Sequence, residues 1–477
     1  MQEYKYYLGG EFKDSSEKIE VIDPSTEEVF AYIYQVSKED LEIALSQAKK
    51  AQKEWKKFSF KERAKVLRNI AKVILDNLPS LAELETREIG KTYKESLFVD
   101  IPLSAEVFDY YASFLESLSE DLIKTDTGID LIKYEPYGVC GVYLPYNVPL
   151  MIFGFSCAGA LASGNALIVK PSEYGSLSLS ELAKHLDKLD MPKGLINIIT
   201  GRGETVGKYL AQAEVDLISF TGSLQTLKKI VSYSADNPKK IICELGGVNF
   251  TVIFSDADKE RTIDSLLSSS FMKQGQMCIG TSIALIEESI YESFISEFLE
   301  KVKKIKIGSP FEPTTGLGPL VSREHLSAVD KKVKEIISQG NKLLWGGEIL
   351  KGKGYFYSPT VIELKELVYE EFFSPVVLVK RFKQEELPSI LENNPTGLVL
   401  QIWSSNLEKA KRLAESYSWG TVWINTFAQM SAHTSFGGVK KSGWGRNLGK
   451  WGFFEYTQPK HIGIGFKKGP AEGWFGV

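Results

Sequence analysis

Cys278 lies in the run KQGQMCIG, between Gly275 and Gly280, and glycines on both sides of a thiol let a ligand approach the backbone closely. The other cysteines sit in apolar runs: Cys140 in GVCGVYL, Cys157 in MIFGFSCAGALA and Cys243 in KKIICEL. A thiolate attacks carbonyl carbon readily. A free thiol, with a pKa of about 8.5, is mostly protonated at neutral pH, so its site must favour the thiolate or supply a base. By position alone Cys278 is either such a nucleophile or an inert packed thiol. Glu244, in CELGG, is the matching carboxylate. It ends a β-rich run, where its side chain projects from the carboxyl edge of a sheet, and it reads as a base or as an ion-pair or capping residue.

Two glycine turns add an anion site as a further reading. TGRGETVGKYL places Gly201, Gly203 and Gly207 between a strand and a helix, with one residue too many for G-x-G-x-x-G. SFTGSLQT places Gly222 and Ser223 at a helix N-terminus, where free N–H groups and the helix dipole favour a phosphate. A plain Ser223 cap is the alternative.

The elements that must position these residues follow from periodicity. Residues 38–120 read as helices, with apolar positions at helical spacing in LEIALSQAKKAQKEW and RAKVLRNIAKVILDNL and interruptions at Pro79 and Pro102. From 138 onward, GVCGVYL, ALIVK, LINIIT, DLISF, KKIICEL and NFTVIF alternate with helical stretches, which predicts a parallel sheet with right-handed crossovers. SIALIE, VVLVKRF and VLQIWS predict a second such unit. HIGIGF is expected to pair with GIDLIKYEPYG as an exposed strand pair. Val148 to Val169 carries no charge, yet Pro149, Gly154, Gly159 and Ser163-Gly164-Asn165 break it, which predicts a buried helix, a turn and a strand rather than a membrane span.

With 477 residues, 43% of them hydrophobic, the chain can bury a core of two or three domains. A formal net charge of -4 without a basic block gives no footprint for nucleic acid or an anionic membrane, so a small-molecule partner is expected. The four cysteines show neither a disulfide framework nor metal-ligand spacing, and the N-terminal MQEYKYYLGGEFKD has no apolar signal stretch. A cytoplasmic location and no metal are expected.

Taken in order, PYNVP, KPSE, GRGETVG, FTGS, ELGG, GQMC, EFFSP and FGGVKKSGWGR resemble the aldehyde dehydrogenase superfamily over nearly the whole chain. The spacing from Glu244 to Cys278 (278 - 244 = 34) is also similar to that family's. The resemblance implies an α/β fold with a Rossmann-type cofactor domain (1–118 and 136–245), an α/β catalytic domain (246–450) and a small β oligomerisation arm (119–135 and 451–477), assembled as a homodimer or homotetramer. It implies that Cys278 attacks an aldehyde, that the hemithioacetal loses hydride to NAD or NADP, and that Glu244 activates water to hydrolyse the thioester. Asn147 and the backbone N–H of Cys278 would be the oxyanion donors.

By the same resemblance Lys170 and Glu173 would hold the adenosine ribose, Gly203, Gly222 and Ser223 would lie along the pyrophosphate side, and Glu371 and Phe373 along the nicotinamide riboside. Val148, Ile152, Phe155, Met272, Met277, Ile279, Met430 and Phe436 would line the aldehyde tunnel, with His433 nearby. None of those eight is charged, which favours an uncharged, mainly apolar aldehyde. NAD is expected over NADP because Glu173 would repel a 2′-phosphate. Ser156 and Asn447 replace a Lys and a Glu common in relatives, so the pair is exchanged as a neutral unit; Val248 and Ser374 also depart from the pattern. A coenzyme A-acylating enzyme, in which the base is often absent, is disfavoured by Glu244. A non-catalytic binding protein on the same fold is disfavoured by intact Cys278, Asn147 and Glu244.

Overall fold

The computed structural model describes residues 1–119 and 121–466. Its largest sheet has eight strands in the order Gly443–Trp444, Lys240–Leu245, Leu217–Gly222, Val139–Leu144, Ala166–Pro171, Ile196–Ile198, Tyr6–Leu8 and Glu11–Lys13. The five strands from Lys240–Leu245 to Ile196–Ile198 run parallel, and antiparallel strands close both edges. Val139–Leu144 and Ala166–Pro171 are buried along their whole length, as continuous apolar runs covered by helices on both faces should be. The edge beside Glu244 comes from far along the chain, where Gly443 pairs with Glu244. Gly443 has φ +125° and a Cβ there would lie 2.1 Å from the Cys243 carbonyl oxygen, so only glycine permits this approach.

A second sheet has seven strands in the order Lys342–Trp345, Thr360–Glu363, Val376–Phe382, Ile283–Glu287, Phe250–Ile253, Val399–Trp403 and Thr421–Ile424. All but Lys342–Trp345 run parallel. A third sheet joins Asp121–Lys124, Gly128–Pro136 and Thr457–Gly465, the last two paired antiparallel from Thr457↔Pro136 to Gly465↔Gly128. HIGIGF and GIDLIKYEPYG therefore meet as expected, whereas residues 467–477 of the expected arm lie outside the described residues.

The N-terminal strands, which periodicity did not predict, form a hairpin of Lys18–Asp23 and Glu28–Tyr34. Its tip grips the second half of the chain: Tyr355 N–H donates to Pro24 O at 2.9 Å, Gly354 N–H to Glu27 at 2.9 Å, and Arg323 pairs with Glu27.

Val148 to Val169 folds as a helix, a turn and a strand. In Pro149–Ala162 every residue but Met151 is buried, and among the described residues no helix is long and apolar enough to cross a membrane. Pro149 opens the helix, where its missing N–H costs nothing, and Gly164 turns the chain at φ +98°. Buried Asn165 then ties three segments together. Its amide donates to Ala160 O, Ser163 Oγ and Tyr456 O at 3.2, 2.8 and 2.9 Å, and its carbonyl accepts from Gly138 N–H at 2.8 Å. Asn165→Ala should therefore cost about 2–4 kcal/mol; a lowered urea midpoint at unchanged slope would show it, and an unchanged midpoint would refute it.

Candidate active site

The loop carrying Cys278 is held in a conformation that side chains rarely adopt. After the helix Lys259–Phe271, residues Lys273, Gln274 and Gly275 all have positive φ, at 52°, 57° and 66°. A Cβ on Gly275 would lie 2.0 Å from Ser374 O, so this turn rests directly on the backbone that follows Glu371. Asn249, buried and not singled out by its sequence context, donates to Cys278 O at 2.7 Å and Gly280 O at 2.9 Å and accepts from Val399 N–H at 3.0 Å. Asn147 donates to Gln276 O at 2.8 Å, while the Gln276 side chain accepts from Val321 N–H at 3.2 Å and lies 3.4 Å from the Tyr146 hydroxyl. Asn147 is thus bonded to the Cys278 loop at Gln276, two positions before the thiol.

Cys278 is half-buried and the other three cysteines are fully buried. Burial pushes its thiol up to about 12, with Glu244 and Glu371 adding to the rise and Lys273 opposing it. Glu244 itself is 6% exposed and neither carboxylate oxygen makes a well-formed hydrogen bond. Burial drives its pKa well above the ordinary range, against the pull of Arg446 and the Gly438 backbone. Gly437 packs so close that a Cβ there would sit 2.7 Å from Glu244 Oε1. A buried carboxyl whose pKa is raised in this way is, when ionised, a stronger base than a free one, which suits a general base. Of the departures from the family pattern, Ser156 is buried with no partner for its hydroxyl and Asn447 accepts from Tyr456 OH at 3.3 Å. Val248 N–H donates to Thr396 at 2.9 Å, and the Ser374 hydroxyl has no partner.

The turns that follow parallel strands carry the anticipated nucleotide residues. Lys170 Nζ lies 3.5 Å from Glu173 Oε2, and Glu173 Oε1 accepts from Gly203 N–H at 3.2 Å. Beside Gly203 a Cβ would meet nothing within 4 Å, so the space there is open. Ser223 caps the helix Leu224–Tyr233 by accepting from Thr226 N–H at 3.2 Å, and Gly222 lies against the Phe220 ring. Glu371 accepts from Gly247 N–H at 3.2 Å, and burial pushes its carboxyl up to about 7. Gly246 makes room for it, since a Cβ there would fall 2.5 Å from Glu371 Oε1. Phe373 has φ +49°, with its carbonyl accepting from His325 Nε2 at 2.9 Å and its ring edge-on to Tyr146 at 6.1 Å. Glu173 and Glu371 each spend one oxygen on a backbone N–H and keep another acceptor free of backbone, which fits the hydroxyl donors of a ribose.

On the other side of the Cys278 loop, Val148, Ile152, Phe155 and Phe436 share one apolar cluster, and Cys278, Ile279 and Met430 pack against it. Phe155 and Phe436 meet edge to face at 6.3 Å. Val148, Ile152 and Phe155 are at most 5% exposed, so much of each side chain is core. Met277 is buried and Met272 ends the helix before the turn. His433 is exposed and packs edge-on to Tyr110 at 4.7 Å, and Trp423 meets Phe427 at 5.7 Å.

A half-buried thiol in a glycine-bounded loop, with carboxylate acceptors suited to ribose hydroxyls, is the arrangement expected of a nucleotide-dependent oxidoreductase that works through a cysteine. A model described as the aldehyde dehydrogenase family matches residues 12–462, and the chain belongs to that family. It is 39% identical to betaine aldehyde dehydrogenase of Bacillus subtilis over 470 residues, covering 95% of each chain. To 2-aminomuconic semialdehyde dehydrogenase of Homo sapiens it is 35% identical over 475 residues, covering 96% and 97%. A point mutant of betaine aldehyde dehydrogenase from Staphylococcus aureus, solved with NAD+ and a modified cysteine, superposes with a TM-score of 0.95 at 34% identity, over 99% and 98% of the two chains. The NAD+ complex of an aldehyde dehydrogenase from Bacillus cereus gives 0.95 at 31%, over 98% and 97%. The protein is an NAD(P)-dependent aldehyde dehydrogenase.

The burial of the thiols makes a test without substrate. Iodoacetamide should modify Cys278 alone in the native protein, at a rate that climbs roughly tenfold per pH unit between pH 7 and 9, because the thiolate fraction rises as pH approaches a pKa of about 12. Peptide mapping with a pH series checks both points, and a plateau below pH 8 would mean the resting thiol is already ionised.

Proposed function

We propose that Cys278 is the nucleophile and Glu244 the base of a hydrolytic cycle, with the unpartnered, buried Glu244 carboxyl as the observation that carries the reading. The Cys278 thiol gives its proton up to solvent and the thiolate attacks the aldehyde carbon; the carbonyl electrons move to oxygen, which would be met by the second N–H of the Asn147 amide and the backbone N–H of Cys278. Bound NAD would supply the hydride acceptor, held by Lys170 and Glu173 at the adenosine ribose, by Gly203, Gly222 and Ser223 near the pyrophosphate, and by Glu371 and Phe373 at the nicotinamide riboside. Glu244, once its own proton has passed to solvent, takes a proton from water as that water attacks the thioester carbon, and the C–S bond breaks to return Cys278 as the thiolate. Cys278→Ala should abolish oxidation. Glu244→Gln should release about one NADH per site in a burst, then turn over at least about a hundredfold more slowly. Unchanged steady-state turnover in that variant would remove Glu244 from the role.

The substrate reading rests on the lining. Val148, Ile152, Phe155, Met272, Met277, Ile279, Met430 and Phe436 carry no charge, and the nearby cation Lys273 is taken up by Asp100 at 2.9 Å. A carboxylate-bearing aldehyde would lose hydration there with no cation to receive it, whereas an apolar chain gains roughly 0.8 kcal/mol per buried CH₂. A second reading, an aldehyde bearing a quaternary ammonium, is the kind of substrate the Bacillus subtilis relative is named for; aromatic faces would hold such a cation by cation–π contact. NAD is preferred because Glu173 disfavours a 2′-phosphate, an effect that Lys170 at 3.5 Å softens. The expected order of kcat/KM is hexanal or benzaldehyde above succinic semialdehyde by at least about tenfold, and NAD above NADP. Betaine aldehyde in the same panel tests the second reading, and equal values for the acid would overturn the first. The exposed Leu122, Ile123 and Ile464 on the third sheet, with Phe466 just after its last strand, support association into a homo-oligomer through that arm.

A further inference from the structure

Beneath the Cys278 loop lies a group of buried charges that the cycle above does not use. Lys91 is fully buried and contacts Glu85 and Asp100, the latter at 2.8 Å, and Asp100 is in turn 2.9 Å from Lys273. Side chains of Glu85, Lys91 and Asp100 have no exposure, and that of Lys273 only 8%. Burial alone would raise the Asp100 pKa, yet Lys273 and Lys91 more than offset it and keep the carboxylate ionised. The set is two cations against two anions.

Its ends reach the two halves of the oxyanion site. Glu85 accepts from Leu150 N–H at 3.0 Å, three residues after Asn147. Lys273 is the first residue of the left-handed turn that leads to Gln276 and Cys278, and its N–H donates to Glu95 at 2.7 Å. Asn147 donates to Gln276 O at 2.8 Å. These contacts close a ring: Asn147, Leu150, Glu85, Lys91, Asp100, Lys273, Gln276 and back to Asn147. Asp100 sits where a π-type turn, Ser96–Asp100, meets the helix Ile101–Ser117, a geometry frequent at functional positions. A buried ion-pair group of this kind adds little net stability, since desolvation opposes the attraction; what it fixes is relative position.

We propose that Asp100, bridging Lys91 and Lys273, is a positioning residue that sets the distance between the Asn147 amide and the Cys278 thiol. The proposal rests on the reading of Cys278 as nucleophile and Asn147 as oxyanion donor, and a Cys278→Ala control separates the two: turnover surviving in that variant sinks the reading itself. The test is the charge-balanced double variant Asp100→Asn/Lys273→Met, which leaves Lys91 paired with Glu85, made in the wild-type and Asn147→Ala backgrounds. With hexanal and NAD, kcat should fall at least tenfold in the first background, with KM for NAD within threefold, and less than threefold further in the second, because the ring acts through Asn147. A kcat within threefold of wild type, or equal losses in both backgrounds, would overturn it. Should the double variant not fold, Lys273→Arg and Lys273→Gln decide instead: the arginine variant should keep kcat within threefold and the glutamine variant lose at least tenfold, and equal values for the two would overturn the proposal.

Discussion

The contact of Gly275 with the Ser374 carbonyl leaves no room for a side chain, and the geometry of the site depends on it. It sets the Cys278 loop directly on the segment that carries Glu371 and Phe373, so the thiol and the Glu371 carboxyl are fixed relative to each other through backbone alone. Three consecutive left-handed residues make this possible. Two of them, Lys273 and Gln274, are not glycine, and a non-glycine residue in that region carries strain that neighbours must hold. Those neighbours are Glu95, Asp100 and the Gly90 carbonyl, which accepts from Gln274.

Much of this was legible in the sequence, and the reason differs by residue. Runs such as ALIVK and KKIICEL are buried on both faces, so their apolar continuity predicts strands without reference to partners. Cys278 stood out because flanking glycines mark backbone that must turn or be approached closely. The N-terminal strands did not stand out, because three-residue segments such as Tyr6–Leu8 owe their conformation to the sheet edge they join.

Asn249, Asp100 and Lys273 were missed for a related reason. Each looks like ordinary polar residue chemistry in its own segment, and its role arises from contacts far along the chain, as between Glu95 and Lys273, 178 positions apart. A signal was present all the same. Asn249 opens the apolar strand Phe250–Ile253, where a buried amide needs partners for every polar atom, and the Cys278 and Gly280 carbonyls supply two of them.

Glu244 shows how the fold keeps a reactive group unsatisfied without unfolding around it. An ionised carboxylate with no well-formed hydrogen bond in a buried site is costly, and burial accordingly raises the Glu244 pKa and favours the neutral form. Ser156 and Asn447, both buried and both neutral, add no unpaired charge to the interior, as a lone cation or anion at either position would. Arg446 is the cation that pulls the pKa down, and its guanidinium donates to the Gly438 and Gly445 carbonyls at 2.9 and 2.7 Å rather than to the carboxyl. It therefore eases ionisation from a distance and leaves the carboxylate oxygens free for the proton transfer proposed for Glu244.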